Sequence, residues 1–294
     1  MKSMAFPNLL LESKRVLRFI VGVLMFAWIL PLHGLELEGE RRQGALLQGK
    51  VEPGARVHLN GESIDVTGGG HFVIGFGRNA DTAHELRITK PDGTRETHRL
   101  QIGKREYDVQ RIEGVPQATV TPDEAALERI RAEARRVASA REKTSAREAF
   151  LESFIWPVQG PITGVYGSGR FYNGEPRQPH YGIDIAAEAG RRVLAPAGGE
   201  ITLAEPDLYF SGGTLIIDHG YGVSSTMLHL SDIHVSVGDE VQQGDVIGEV
   251  GASGRATGAH LDWRMNWRDR RVDPATIAPP LVNGHTPGAS DGDR

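Results

Sequence analysis

The chain has 294 residues and a formal net charge of −5, with 24% of its residues charged. This acidic balance argues against nucleic-acid binding, which basic surfaces usually carry. Because the sequence contains no Cys, it excludes disulfides, thiolate nucleophiles and thiolate metal sites, so a metal site would need His and carboxylate ligands. The length suggests about two domains.

The amino terminus has the pattern of a secretory signal. Lys14, Arg15 and Arg18 precede an uncharged apolar run over residues 19–32. As a helix this run is shorter than the roughly 30 Å hydrocarbon core of a bilayer, but it matches the apolar region of a signal peptide. We therefore predict that residues 1–34 are an export signal and that the protein is periplasmic. The alternative is an uncleaved membrane anchor, because residues 32–34 form a poor cleavage site.

Residues 36–116 alternate short β-prone runs with turn dipeptides. Asn60-Gly61 and Asp92-Gly93 lie between such runs, and these dipeptides favour hairpins because both positions tolerate positive φ. Strands at this spacing predict a small β-sandwich-like module. It has no cluster of titratable residues typical of catalysis, so we interpret it as a binding or spacing unit.

Residues 121–151 change to a helical pattern. Thr121 begins a capping box that ends at Glu124, with Pro122 at the first helical position. Apolar residues then recur every three or four positions, which predicts an amphipathic helix that links the two domains. Arg and Glu interleave on its other face, so a solvated, salt-bridged face is favoured over a site for an anionic partner.

Residues 152–282 predict a second all-β domain, with strands near 192–195, 199–204, 213–218, 223–228, 246–250 and 260–267. In the last strand, apolar and polar residues alternate. The apolar set is Leu261, Trp263, Met265 and Trp267, and the polar set is His260, Asp262, Arg264 and Asn266. Since successive side chains of a strand point to opposite faces, His260 and Asp262 should project together from a polar face.

Further polar residues are candidates for the same site. His180 and Asp184 lie four residues apart where a Pro/Gly-rich loop enters a strand, and His229 ends another strand. Imidazoles and carboxylates are good zinc ligands, and a catalytic zinc keeps three protein ligands and one open position. Together these residues predict a metal site.

The order of motifs PHYGID, LIIDHGYG, MLHLS, GRATGAHLDWR and VDP resembles the lysostaphin/LytM-type zinc metallo-endopeptidases of bacterial cell walls, over about residues 156–279. The resemblance implies a duplicated hybrid β fold and one zinc ion bound by His180 and Asp184. It also implies that His229 and His260 act at the catalytic water and the oxyanion, and that the substrate is a peptide of peptidoglycan. Loops 167–177 and 205–213 would then form the walls of the substrate groove.

One position departs from that family. Its third zinc ligand is the second His of a His-x-His motif, and this chain has Asp262 there. Asp can bind zinc, so His180, Asp184 and Asp262 form a possible ligand set. Two carboxylates would, however, make the metal a weaker Lewis acid. The alternative is that Asp262 pairs with Arg264 on the same face and the metal site is lost.

Two functions follow from these alternatives. The first is a zinc endopeptidase that cleaves cross-links or stem peptides of peptidoglycan. The second is a non-catalytic regulator on the same fold, which binds peptidoglycan or activates a wall amidase and so has an envelope protein as its partner. Residues 283–294 are polar and Gly-rich, and we expect a disordered tail there.

Overall fold

The structure, a computed structural model, describes residues 35–115 and 117–287. The predicted export signal, residues 1–34, lies outside the described residues. In the part of the chain that the structure describes, no helix is long and apolar enough to cross a membrane. The fold is mainly β, as predicted, with one long helix and a large antiparallel sheet.

The amino-terminal module consists of two small antiparallel sheets. Its strands are β1 (Glu36–Glu38), β2 (Leu46–Lys50), β3 (Arg56–Leu59), β4 (Glu62–Ile64), β5 (His71–Gly75), β6 (Ala83–Thr89) and β7 (Arg95–Gln101). The sheet orders are β1-β2-β5 and β4-β3-β6-β7. Side chains of both sheets share one hydrophobic cluster that includes Leu47, Val57, Phe72 and Leu86. The predicted Asn-Gly hairpin joins β3 to β4, with φ of 52° at Asn60 and 87° at Gly61.

The end of the predicted module belongs to another sheet. Strand β8 (Val109–Ile112) pairs in parallel with β10 (Gly169–Tyr172), which forms a hairpin with β11 (Glu175–Arg177). Residues 109–112 are therefore part of the carboxy-terminal half of the molecule, although the sequence assigned them to the first module.

The helical segment is shorter than predicted. A short helix α1 (Gln117–Val120) precedes the long helix α2 (Glu124–Glu142), so helix does not extend over 121–151. The N-cap of α2 is Asp123 rather than Thr121, because the Asp123 carboxylate accepts a 2.8 Å hydrogen bond from the Ala126 N–H. Val137 and Ala140 of α2 pack against the carboxy-terminal sheet.

Charged residues of α2 form ion pairs, as the charge pattern predicted. Arg129 contacts Glu133 and Asp207, and Arg136 contacts Glu205. Glu205 and Asp207 belong to the carboxy-terminal sheet and Glu133 is buried, so these pairs hold the helix on the sheet instead of forming a solvated face. The pair of Arg131 with Glu124 is exposed, as the prediction of a solvated face requires.

The carboxy-terminal domain is built on one large antiparallel sheet. Its remaining strands are β9 (Ile162–Gly164), β12 (Ile183–Ala186), β13 (Arg192–Leu194), β14 (Gly199–Leu208), β15 (Gly212–Gly220), β16 (Val223–Ile233), β17 (Glu240–Val241), β18 (Val246–Val250), β19 (His260–Trp267) and β20 (Arg270–Val272). The main strand order is β17-β14-β15-β16-β19-β12-β9, with β20 beside β19 and β18 beside β16 and β13. All six strands predicted from the sequence are present, and several extend further than predicted.

The two β-rich regions share a core. The hydrophobic cluster of the amino-terminal module continues into the large sheet. A methyl group added at Gly75 would lie only 2.9 Å from the Trp267 Cβ and 3.0 Å from the Val272 Cγ1, so the module backbone contacts the sheet directly. Arg105 also pairs with the buried Asp273 at 2.6 Å.

The ordered chain extends past residue 282. His285 forms a β-bridge with Pro161, and the buried Thr286 side chain donates to the Val158 carbonyl at 3.0 Å. Residues 284–286 thus have partners in the carboxy-terminal domain, so the prediction placed the start of the disordered tail too early. Residues 288–294 lie outside the described residues.

Candidate active site

Strand β19 places the polar residues as the alternation predicts. Leu261, Trp263 and Met265 are fully buried in the core, whereas His260 and Asp262 lie on the opposite face. The flanking strands supply the other candidates because Asp184 of β12 lies opposite Asp262 in the ladder. On the other side of β19, Asp262 pairs with Leu228 of β16, next to His229.

His180, Asp184 and Asp262 form a buried cluster. One ligand atom from each residue lies within 4.8 Å of the others. His180 Nε2 is 3.1 Å from Asp184 Oδ1, and His180 Nδ1 is 4.0 Å from Asp262 Oδ2. Neither His180 nitrogen nor Asp184 Oδ1 has a hydrogen-bond partner among the described residues. These unpartnered buried atoms are the kind of donor set that suits a metal ion.

Two arginines neutralise the carboxylates of this cluster. Arg264 donates from Nε and Nη2 to Asp262, with its shortest contact 2.6 Å to Oδ2. Arg170 Nη2 contacts Asp184 Oδ2 at 2.6 Å. The alternative pairing of Asp262 with Arg264 is therefore present in the structure.

The electrostatics keep both carboxylates ionised. Burial opposes ionisation of Asp184, but the neighbouring His180 and the Arg170 guanidinium outweigh it and hold the pKa of Asp184 well below its usual range. Burial likewise opposes ionisation of Asp262, and the charge of Arg264 outweighs it, so the pKa of Asp262 is also lowered. The cluster thus offers two negative carboxylates balanced by two guanidinium groups.

His229 and His260 lie together beside the cluster. Their ring centroids are 4.8 Å apart, and His260 Nε2 is 3.8 Å from Asp184 Oδ1. Each Nδ1 contacts a backbone carbonyl at 2.8 Å, from Ser253 for His229 and from Gly258 for His260. These contacts favour the tautomer with the proton on Nδ1 and leave Nε2 as the basic nitrogen. Burial lowers the pKa of His229 to about 4, so this imidazole is neutral at pH 7.

The backbone of His229 adopts a left-handed conformation. Its φ is 66°, which is uncommon for a residue other than Gly, and its N–H donates to the Ser211 carbonyl at 2.8 Å. Strained conformations of this kind concentrate at functional sites. The strain is consistent with a constrained imidazole position.

Comparison with known proteins identifies the family to which this part of the chain belongs. The model of peptidase family M23 matches residues 178–274, which contain every candidate site residue. Residues 178–274 form an M23 peptidase domain.

Relatives of the M23 domain include cell-envelope proteins. The cell division protein DipM of Caulobacter vibrioides is 32% identical over 135 residues, which are 43% of this chain and 21% of DipM. The peptidoglycan DD-endopeptidase ShyB of Vibrio cholerae is 36% identical over 104 residues, which are 35% of this chain and 24% of ShyB. This chain thus spans less than a quarter of the length of either relative.

One solved structure matches most of the molecule. It is a Pseudomonas aeruginosa chain assigned to peptidase M23, with 29% identity and a TM-score of 0.63. The match covers 81% of this chain and 95% of the other. The similarity therefore extends beyond the M23 domain to most of the fold.

A cavity of about 540 Å³ opens beside the histidines of the M23 domain. Tyr172, from one of the two predicted groove loops, lines it, and so do Arg111 and Ile112 of β8. The Arg255 guanidinium stacks 4.7 Å from the Tyr172 ring and 4.4 Å from the Phe210 ring, and Phe210 belongs to the other predicted loop. Arg255, which lines the cavity, thus contacts both loops, and part of the cavity wall comes from β8.

Sequence reasoning missed several residues of this region. Arg170 and the β8 residues were not among the candidates, because no motif or spacing connects them to the site. Arg264 was considered only as the alternative partner of Asp262. His219 lies outside this region and is structural, since its ring nitrogens contact the Gly198 carbonyl at 2.6 Å and the Ser225 hydroxyl at 2.8 Å.

Proposed function

We propose that the M23 domain is a zinc-dependent endopeptidase that cleaves peptide cross-links or stem peptides of peptidoglycan in the cell envelope. The observation that carries this proposal is the buried, unpartnered set of His180 nitrogens and Asp184 Oδ1 beside two further histidines. Leaving a buried polar atom unsatisfied costs about 1–3 kcal/mol, so a bound cation would stabilise this arrangement. In this proposal His180, Asp184 and Asp262 are the metal ligands.

Arg264 makes an Asp at the third position compatible with this chemistry. A carboxylate has about four lone-pair sites, so Asp262 can accept from Arg264 and still offer a lone pair to a metal. The Arg264 charge also offsets the extra negative charge that Asp262 brings in place of a neutral His. Ligating carboxylates are commonly held by such a second hydrogen bond.

The histidines supply the proton transfers. Zinc, when bound, would polarise the scissile carbonyl and the attacking water. His229 and His260 keep Nε2 free of backbone contacts, so one of them accepts the proton of the water. The same imidazole or the other one stabilises the oxyanion and protonates the leaving amine.

The purified full chain tests the proposal through its metal content and its activity. We expect about one zinc per chain by elemental analysis and release of soluble muropeptides from peptidoglycan. His180→Ala should lose both, because it removes a ligand from the buried cluster. His98→Ala is the matched control, since this half-exposed side chain lies on β7 of the amino-terminal module, and it should retain both. If the wild-type protein contains no zinc and releases no muropeptides, the proposal of an endopeptidase is rejected.

A non-catalytic regulator is the second candidate. Arg264 contacts an oxygen of Asp262, and Arg170 contacts an oxygen of Asp184. Strand β8 lines the cavity. These features would suit a site that binds peptidoglycan without cleaving it. The relative named as a cell division protein fits this function as well. Under this alternative the chain would bind sacculi or activate a wall amidase. Neither zinc binding nor muropeptide release would then depend on His180.

A further inference from the structure

A second cavity lies between the end of helix α2 and the polar face of β19. Its volume is about 360 Å³, and it is separate from the cavity beside His229. Its lining contains three arginines, three acidic residues and four other residues: Arg141, Arg268, Arg271, Asp65, Glu142, Asp269, Ala138, Thr144, Gly222 and Asn266. Asn266 is four residues from Asp262 on the same strand, so the two sites are about 13 Å apart along β19.

Two arginines of this cavity have no acidic partner in the part of the chain that the structure describes. Arg141 Nη2 lies 3.4 Å from the Thr226 hydroxyl, and Arg141 Nε is buried without a partner. Arg271 Nη1 is also buried without a partner, and the guanidinium lies 6.0 Å from the Tyr181 ring. Among the described residues no carboxylate forms an ion pair with either guanidinium. The neighbouring Arg268, in contrast, pairs with Glu62 and Asp65.

The guanidinium groups of Arg141 and Arg271 are desolvated at this cavity. Burial, together with repulsion from Arg271 and Arg264, lowers the pKa of Arg141 to about 8. Burial also lowers the pKa of Arg271 to about 10. Such shifts are unusual for Arg, which is otherwise always protonated, and they reflect uncompensated cations.

The three acidic residues of the lining, Asp65, Glu142 and Asp269, form no ion pair with Arg141 or Arg271. Asp65 is exposed and already bound to Arg268. Glu142 and Asp269 are exposed and form no ion pair with Arg141 or Arg271. An unpaired buried guanidinium is costly, so a ligand with the opposite charge would bind favourably between the two arginines.

We propose that this cavity binds a small oxyanion, a carboxylate or a phosphate group, between Arg141 and Arg271. Guanidinium groups bind planar or tetrahedral oxyanions through paired N–H donors, which would satisfy the buried Nε of Arg141 and the buried Nη1 of Arg271. Because Arg141 belongs to α2 and Arg271 to β20, the anion would connect the linking helix to the large sheet. This site is independent of the proposed catalysis.

Thermal unfolding of the full chain tests the site. Chelator-treated protein is titrated with sodium phosphate or sodium acetate against sodium chloride at equal ionic strength and pH. A ligand that binds only the folded state raises the Tm in a saturable manner. We expect this rise with phosphate, with acetate or with both, and the more effective anion identifies the source of the oxyanion.

Variants localise the effect. Arg141→Gln and Arg271→Gln should each raise the apparent Kd for the anion by about tenfold or more, because each removes a charged pair of donors. Arg131→Gln is the matched control, since Arg131 is an exposed residue of α2 that pairs with Glu124. His260→Ala tests whether the candidate active site contributes to the response, and both controls should keep the wild-type response.

The outcomes are decisive in both directions. If a glutamine variant does not fold, the corresponding lysine variant keeps the charge but loses the planar fork, and it should still respond more weakly than wild type. Equal responses of wild type and both Arg141 and Arg271 variants would overturn the proposal. A wild type that responds to phosphate and acetate no more than to chloride would also overturn it.

Discussion

Arg264 determines how Asp262 can act in the candidate metal site. Asp262 is buried, and the partly exposed Arg264 donates to both of its carboxylate oxygens. If Asp262 binds a metal, Arg264 orients the carboxylate and balances its charge. If Asp262 does not, the pair is a closed ion pair and the site has only two ligands. The same contact therefore serves either function, and substitutions at position 262 distinguish them.

We predict that Asp262→His retains or strengthens zinc binding. The imidazole replaces a carboxylate ligand and completes the ligand set of the family that the sequence resembles. Asp262→Ala, which offers no ligand atom, should weaken the zinc affinity by at least about tenfold. Zinc titration against a competing chelator measures both variants. If Asp262→His weakens zinc binding as much as Asp262→Ala does, Asp262 is not at a ligand position.

The linking elements show how local contacts override sequence patterns. The three- and four-residue periodicity predicted a helix over 121–151, but α2 occupies only Glu124–Glu142. Both Thr121 and Asp123 are good N-cap residues by type, and hydrogen bonding selects Asp123. Strand β8 has no pattern that predicts its parallel partner, because β10 lies about 60 residues further along the chain.

The two possible N-cap residues, Thr121 and Asp123, can be compared directly by the effect of their substitution on the free energy of unfolding. We predict that Asp123→Ala lowers the free energy of unfolding by about 1 kcal/mol, because the Ala126 N–H loses its acceptor. Thr121→Ala should have a smaller effect, since its side chain does not cap α2. Urea unfolding followed by circular dichroism measures the difference. A larger loss for Thr121→Ala would contradict the N-cap that the structure assigns.

At the scale of the whole molecule, the two β-rich regions are joined by a shared core rather than by the helix alone. Leu46 and Phe72 of the first module belong to the same cluster as Trp263 and Trp267 of the M23 domain. Burial in this continuous interior also affects ionisation. His219 is fully buried, and desolvation lowers its pKa to about 4 despite its contact with the Gly198 carbonyl.

The buried histidines predict acid sensitivity of the whole fold. Unfolded His takes up a proton near pH 6.5, whereas folded His219 stays neutral down to about pH 4. The contribution of neutral His219 to the free energy of unfolding is therefore complete above about pH 6.5 and is lost as the pH falls towards 4. Its upper limit is about 3 kcal/mol. His229, whose pKa is also lowered to about 4, adds to the same decline.

His219→Gln should flatten this decline. Gln does not titrate, and its amide can contact the Gly198 carbonyl and the Ser225 hydroxyl. Free energies of unfolding at pH 8, 6 and 4.5 measure the slope for wild type and variant. We expect a smaller loss between pH 8 and 4.5 in the variant, with the remainder due to groups such as His229. An unchanged slope would show that His219 does not carry this dependence.

The sequence by itself predicted six strands of the M23 domain and the residues that could form its site. Period-two alternation in β19 placed His260 and Asp262 on one face because side-chain direction in a strand depends only on the local backbone. The same rule made the Asp262–Arg264 pair foreseeable. Turn dipeptides located the β3–β4 hairpin for an equally local reason.

Only the tertiary structure decided which distant residues meet. The contact of Arg170 with Asp184, the β8 wall and the unpaired Arg141 and Arg271 depend on strand register and on helix docking. Those are set by packing between segments far apart in the chain, for which a single sequence has no periodic pattern. The charge balance at the candidate metal site and the second cavity are therefore properties of the folded molecule.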